Sequence, residues 1–130
     1  MDQKIIDFLT KERMAALSIC LSDGTPHTSA MHFVYNNGTI YFSTHNTSKK
    51  ATGLTTSKAS VTVGFSEQNW VTVQLDGTAE ITTDGKDLIL GKYPESIKFM
   101  DANTIFLKFT PVWWRYSDFK STPPIFLASE

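Results

Sequence analysis

The chain has 130 residues, enough to close one hydrophobic core and too few for two ordinary domains, so a single domain over 1–130 is expected. Twelve Lys and Arg against 13 Asp and Glu leave a net charge of −1, with no basic stripe to neutralise a nucleic-acid backbone. No apolar run approaches the roughly 20 residues that span a bilayer, and Asp7 and Lys11 interrupt the first apolar stretch, so a cytoplasmic protein without nucleic-acid or membrane partners is expected. The single Cys20 excludes an internal disulfide and, in its apolar run, reads as a buried, inert thiol.

Ile5, Ile6, Phe8 and Leu9 share one side of a short N-terminal helix, with Asp2 as its cap and Lys11 and Arg13 suited to its end. From Met14 to Leu21 the apolar period changes to two, and Asp23-Gly24 then marks a hairpin. A second strand from His27 to Tyr35 meets another hairpin signal at Asn37-Gly38, and a third runs from Thr39 to Thr44. Ser48 to Thr56 predicts one or two helical turns, weakened by Gly53 and three threonines.

Val61, Val63 and Phe65 alternate with Ser60, Thr62 and Gly64, and Val71, Val73 and Leu75 with Thr72, Gln74 and Asp76, which predicts two half-buried strands. Gly77 reads as a bulge or bend before Thr78 to Thr82. Asp84 is expected to cap a helix containing Leu88, Ile89 and Leu90, continued after a break by Pro94 to Met100. A last strand, Thr104 to Phe109, precedes Pro111 and the aromatic segment Val112 to Phe119, and Ile125-Phe126-Leu127 is an apolar end expected to dock on the body or a partner. About six antiparallel strands, two tight hairpins and short helices suit a mainly β, closed or nearly closed barrel better than an open sheet with bare edges.

The densest chemical signal is Ser48-Lys49-Lys50-Ala51, where a strand hands over to a helix. Two neighbouring ammonium groups with the hydroxyls of Thr44, Thr47 and Ser48 make a receptor for a phosphate dianion, and lysines in a first helical turn oppose the dipole unless an anion is present. Solvated surface lysines are the competing reading. His27, His32 and His45 lack the spacing and carboxylate company of a metal site, so no metal is expected. No Ser-His-Asp signature is present either.

The ordered set Asp23-Gly24-x-Pro26-His27, Phe33-Val34-Tyr35-Asn36-Asn37-Gly38-Thr39-Ile40-Tyr41-Phe42, Ser48-Lys49-Lys50-Ala51, Ala59-Ser60-Val61-Thr62-Val63 and Gly77-Thr78-Ala79-Glu80 resembles the pyridoxamine 5′-phosphate oxidase-like, FMN-binding split-barrel family over roughly residues 3 to 119. The resemblance implies a six-stranded antiparallel split β-barrel, a homodimer and FMN at its interface. By position, Lys49 and Lys50 correspond to the phosphate clamp, with Ser43, Thr44 and Ser48 as hydroxyl or backbone donors. Thr28, Ser29, Ala30, Met31, His32 and Phe33 would line the flavin, partly through backbone groups, and Trp113 or Trp114 resembles a flavin-contacting tryptophan, Trp114 being the one carried forward.

The chain departs from the oxidase proper where that enzyme holds its substrate. Thr28 and Phe33 stand in place of an Arg and a Lys, Thr72 in place of a Gln, and Trp114-Arg115-Tyr116-Ser117-Asp118 does not reproduce an Arg-x-His signature. The expectation is therefore an FMN-dependent oxidoreductase acting on an unidentified small molecule or electron donor, not a true pyridoxamine phosphate oxidase, with no catalytic residue named. The alternatives are a non-catalytic flavin-binding or stress-response module, or a split barrel that takes a deazaflavin or haem.

Overall fold

The computed structural model describes residues 1–53 and 58–129. Helix α1, Gln3–Lys11, begins where the Asp2 side chain accepts the Lys4 backbone N–H at 2.8 Å, the cap that its sequence predicts. Ile5 and Leu9, four apart and so on one face, are buried. The strands are β1 Met14–Cys20, β2 Pro26–His32, β3 Val34–Asn36, β4 Thr39–His45, β5 Lys58–Ser66, β6 Asn69–Thr82, β7 Thr104–Asp118 and β8 Ile125–Ala128. Between them lie α2 Lys49–Gly53, α3 Lys86–Lys92 and a 3₁₀ helix Pro94–Phe99.

All strand pairings are antiparallel, in the order β2-β1-β5-β6-β7-β4-β3, with β8 added on β7. The two ends of that order, β2 and β3, are consecutive pieces of one run interrupted only by Phe33. The sheet therefore curls back on itself through a covalent link, making a six-stranded split barrel when β2 and β3 count as one strand. Leu17, Phe33, Phe42, Val61, Val73, Leu107 and Phe109 fill it, and Ile5 and Leu9 of α1 pack on the same cluster. Full burial of such side chains contributes about 1.5–3 kcal/mol each.

The β3–β4 turn has positive φ at both Asn37 and Gly38, the geometry that Asn-Gly favours in a two-residue hairpin. Period two holds along β1, where Ala15, Leu17 and Ile19 are buried. The second strand, expected as one piece from His27 to Tyr35, instead divides at Phe33, giving its first part to β1 and its second to β4. The division is the split of the barrel. Of the helix expected over Ser48 to Thr56, α2 covers Lys49–Gly53, and Leu54, Thr55 and Thr56 lie outside the described residues.

The bulge expected at Gly77 is found, and three other expectations are corrected. At Gly77 β6 runs on to Thr82 while the register shifts, since Asp76 pairs Trp113 and Gly77 pairs Pro111, leaving Val112 of β7 as the extra residue. A Cβ on Gly77 would lie 2.1 Å from the Thr110 carbonyl oxygen, so only glycine lets β7 come this close. Pro111, beside that irregularity, is tolerated inside a strand running unbroken from Thr104 to Asp118, where the sequence alone predicts an end at Phe109. Asp84 does not cap α3; the cap is Gly85, in the left-handed region at φ 111°, with no side-chain bond. Cys20 is half-buried rather than buried, because it ends β1 at the sheet margin.

A further difference concerns Phe65. The alternation of β5 places it on the inner face with Val61 and Val63, yet it is 54% exposed. Gly64 and Phe65 both take positive φ, 83° and 77°, and the register shifts so that Trp70 and Val71 together stand opposite Phe65. Such a backbone at a bulky residue costs about 1–3 kcal/mol. The ring of Phe8 occupies the space next to Gly64, with its Cζ 2.6 Å from where a Cβ would sit.

Outside the barrel, Ile89 of α3 and Tyr93 at its C-cap pack with Val34 and Tyr41 in a second, smaller cluster. The Tyr93 hydroxyl donates toward the carbonyls of Arg13 and Phe33, tying α3 to the point where β2 gives way to β3. The C-terminal apolar end docks as expected: β8 pairs with β7, Tyr116 opposite Leu127.

Candidate functional site

The split at Phe33 creates a groove. β3 pairs with β4 only from Thr39 to Tyr41, so the second half of β4, from Phe42 onward, loses its neighbour on that side, and β2 pairs only with β1. Two strand edges thus face each other with backbone groups that no ladder consumes among the described residues. Ala30, Met31 and His32 of β2, Ser43 and Thr44 of β4 and Lys50 of α2 line a cavity of about 270 Å³ there, closed on another side by Ile89, Tyr93 and Ser96. A second hollow of about 270 Å³ adjoins it, sharing Ser43, Thr44 and Ser96 and reaching Phe99 and Met100.

Lys50 is the cation of this groove. Its Nζ donates to Ser29 Oγ at 3.3 Å, and burial pushes its pKa below the ordinary lysine value. Thr44 Oγ1 donates to Ser48 Oγ at 3.1 Å, which in turn accepts the Ala51 backbone N–H at 3.2 Å. With Ala51 N–H already engaged and only five residues in α2, the helix adds little field of its own; the charge comes from the lysine. An anion against Lys50 would favour the charged form that burial disfavours.

The residues singled out from sequence fall into three groups. Ala30, Met31, His32, Ser43, Thr44 and Lys50 line the groove together, and Ser29 and Ser48 stand one hydrogen bond behind them. Lys49 and Thr28 lie beside it: Lys49 is exposed, and Thr28 Oγ1 sits 2.7 Å from Ser18 Oγ on the outer face of the sheet. The Asp23 carboxyl is held below its usual range chiefly by hydrogen bonds from Thr25, with the Lys49 charge a smaller cause. Phe33 and Trp114 are elsewhere. Phe33 is fully buried in the barrel, its N–H donating to the Arg13 carbonyl and its own carbonyl accepting from Tyr93. Trp114 lies eight residues along β7 from Phe106, the partner of Ser43, hence roughly 26 Å away along the strand. It packs against the barrel core, and its N–H donates to Ser129 Oγ.

Sequence reasoning missed Tyr93, Ile89 and Ser96, which wall the groove from α3 and the 3₁₀ helix. The Tyr93 ring lies 4.9 Å from the His32 ring and carries the Arg13 guanidinium 4.8 Å from its centroid. Burial pushes its phenol pKa up, keeping it neutral. The only local sign was a tyrosine at a helix end before Pro94, which by itself reads as a stop signal.

Against known proteins, a family model described as pyridoxamine 5′-phosphate oxidase matches residues 1–118. Among solved structures, a conserved hypothetical protein of Mycobacterium tuberculosis is similar at 20% identity and a TM-score of 0.77, over 100% of this chain and 92% of the other. General Stress Protein 26 of Bacillus anthracis is similar at 24% identity and a TM-score of 0.74, over 98% and 97%. An FAD-binding protein of Mesorhizobium loti is similar at 18% identity and a TM-score of 0.71, over 88% and 91%. At these identities the likeness is one of fold. No curated protein matches the sequence.

Proposed function

The chain belongs to the pyridoxamine 5′-phosphate oxidase family, and from that premise we propose that it is a cytoplasmic, homodimeric FMN-binding protein that transfers electrons to or from a small molecule other than pyridoxamine phosphate. The observation that carries this reading is Lys50: a partly buried ammonium lining a groove, with Ser29 as its hydrogen-bond partner and Ser43 and Thr44 around it. Those donors fit a phosphate. The unpaired edges of β2 and β4 fit the hydrogen-bonding rim of a flavin ring.

When bound, the flavin supplies the hydride or electron chemistry. The residues of this chain do the rest: Lys50 with the hydroxyls of Ser29, Ser43, Thr44 and Ser48 holds the phosphate, and the backbone of Ala30, Met31 and His32 orients the ring. Tyr93, neutral and anchored on the Phe33 carbonyl, closes the far wall and keeps water from that side. Lys49 contributes as a second, solvated charge. Trp114 is too far along β7 to reach the groove of its own subunit, so a flavin contact by Trp114 requires a second copy.

A second reading, a flavin-binding module without turnover, draws support from Thr28 and Phe33, which replace the oxidase's Arg and Lys, and from the fold likeness to a general stress protein. The deciding measurement is the visible absorption spectrum of the native protein, with mass analysis of whatever denaturation releases. A flavin spectrum and released FMN are expected; a colourless protein that gives no saturable FMN titration overturns the proposal, as does a haem or deazaflavin spectrum. Rapid reduction of the bound flavin by NAD(P)H coupled to an acceptor excludes the non-catalytic reading.

A further inference from the structure

The hairpin between β5 and β6 holds features that neither the barrel nor the groove uses. Phe65 is turned out of the inner face by a left-handed backbone, and Trp70, opposite it, is 50% exposed. Trp70 Nε1–H donates to the Glu67 carbonyl at 3.1 Å, and the Phe65 ring is braced edge-on by Phe119 at 6.0 Å. Both rings are therefore held in place while facing solvent. With Ser66 and Glu67 they line a hollow of about 470 Å³.

That hollow adjoins another. Phe65 and Ser66 also border a cavity of about 380 Å³, walled by Lys11, Glu12, Arg13 and Asn69. Its lining holds two cations against one carboxylate. Arg13 acts further on Lys92, whose pKa is lowered first by burial and then by that guanidinium, with Glu12 acting in the opposite sense. Among the described residues the Asn69 Oδ1, sealed from solvent, has no hydrogen-bond partner. None of the residues lining the FMN groove borders either hollow.

We propose that these two hollows form a binding site for a planar heteroaromatic ring with a phosphate tail, a mononucleotide in chemical class. The ring lies on Phe65 and Trp70, stacking that every nucleobase supports. The Glu67 carboxylate accepts from a ring amino or amide N–H, and Lys11 and Arg13 take the phosphate. A backbone strained so as to show an aromatic ring to water is explained by a ligand that covers it. The inference does not rest on the flavin reading.

The test is a titration of the full chain with adenosine 5′-monophosphate and with nicotinamide mononucleotide, followed through the Trp70 Nε1–H resonance in ¹H–¹⁵N NMR. A saturable shift is expected with at least one of them. Phe65→Asn removes the ring while keeping a residue that tolerates positive φ, and weakens binding at least tenfold; Lys11→Gln weakens it about threefold and reduces its salt dependence. Lys50→Ala leaves it unchanged. No saturable shift of Trp70 with either probe at millimolar concentration overturns the proposal. So does a shift that follows protein concentration instead of ligand, which marks a self-association surface, or one that disappears in Lys50→Ala, which puts the nucleotide in the groove.

Discussion

The two sides of the barrel split are made from neighbouring residues on the same strands. Phe33 and Phe42 are fully buried, whereas His32 and Ser43, each one position away, line the groove together with Thr44. Inward, the chain satisfies itself: apolar rings interlock and the ladder consumes the backbone. Outward, the same strands end in unpaired edges, hydroxyls and one lysine whose charge burial disfavours. The difference teaches that core filling and groove lining fall to neighbouring residues, so substitution should separate stability from the proposed binding.

Phe42→Ala tests the inner side and carries the largest expected effect, a loss of about 3–5 kcal/mol in unfolding free energy by urea titration, because a fully buried ring leaves a cavity. A loss under about 1 kcal/mol would mean that the barrel does not close around it. Gly77→Ala is expected to destabilise by about 1–3 kcal/mol, since its methyl would meet the Thr110 carbonyl. A wild-type unfolding midpoint would place β6 and β7 farther apart at the bulge than this structure has them.

On the outer side, Lys50→Ala should weaken FMN binding at least tenfold, about 1.4 kcal/mol, with the unfolding midpoint unchanged. Lys49→Ala, outside the groove lining, should cost less than threefold in the same titration. Equal losses would show that both lysines grip the phosphate. The Lys50 charge is the bound form, and its pKa lies below that of an ordinary lysine, so FMN affinity should fall as pH rises and begin falling below the usual lysine range near about 10.4. Binding of the dianion favours the protonated amine, so the complex should titrate later than the free protein; in Lys50→Ala that pH dependence should vanish. The smallest expected effect is that of Asp84→Ala, within about 0.5 kcal/mol, because this carboxylate caps nothing.

Much of this was legible in residue order. The hairpins at Asp23-Gly24 and Asn37-Gly38, the alternation Ala15-Leu17-Ile19 and the Asp2 cap are local: each is decided by a few bonds within the segment that shows it. The groove was legible only in part. Lys50 and Thr44 announce themselves by type and position, and Ser43 and Ala30 to His32 enter through the family resemblance, but Tyr93 and Ser96 arrive from more than forty residues downstream, and nothing near them in the chain marks them as partners of His32. Pro111 misled because a proline breaks a regular ladder; next to the extra residue Val112 the ladder is already broken. Phe65 misled because period two predicts a face only while the backbone stays extended, and at φ 77° it does not.

By itself, then, residue order determined which side chains seek the interior, where the chain reverses and where two cations stand side by side, since burial preference, turn chemistry and charge belong to the residues. The tertiary structure alone decided that β2 and β3 would part at Phe33 and leave two edges beside Lys50 that no described strand pairs. That outcome depends on which distant strands claim each half of the run, a competition among long-range pairings that no local segment contains.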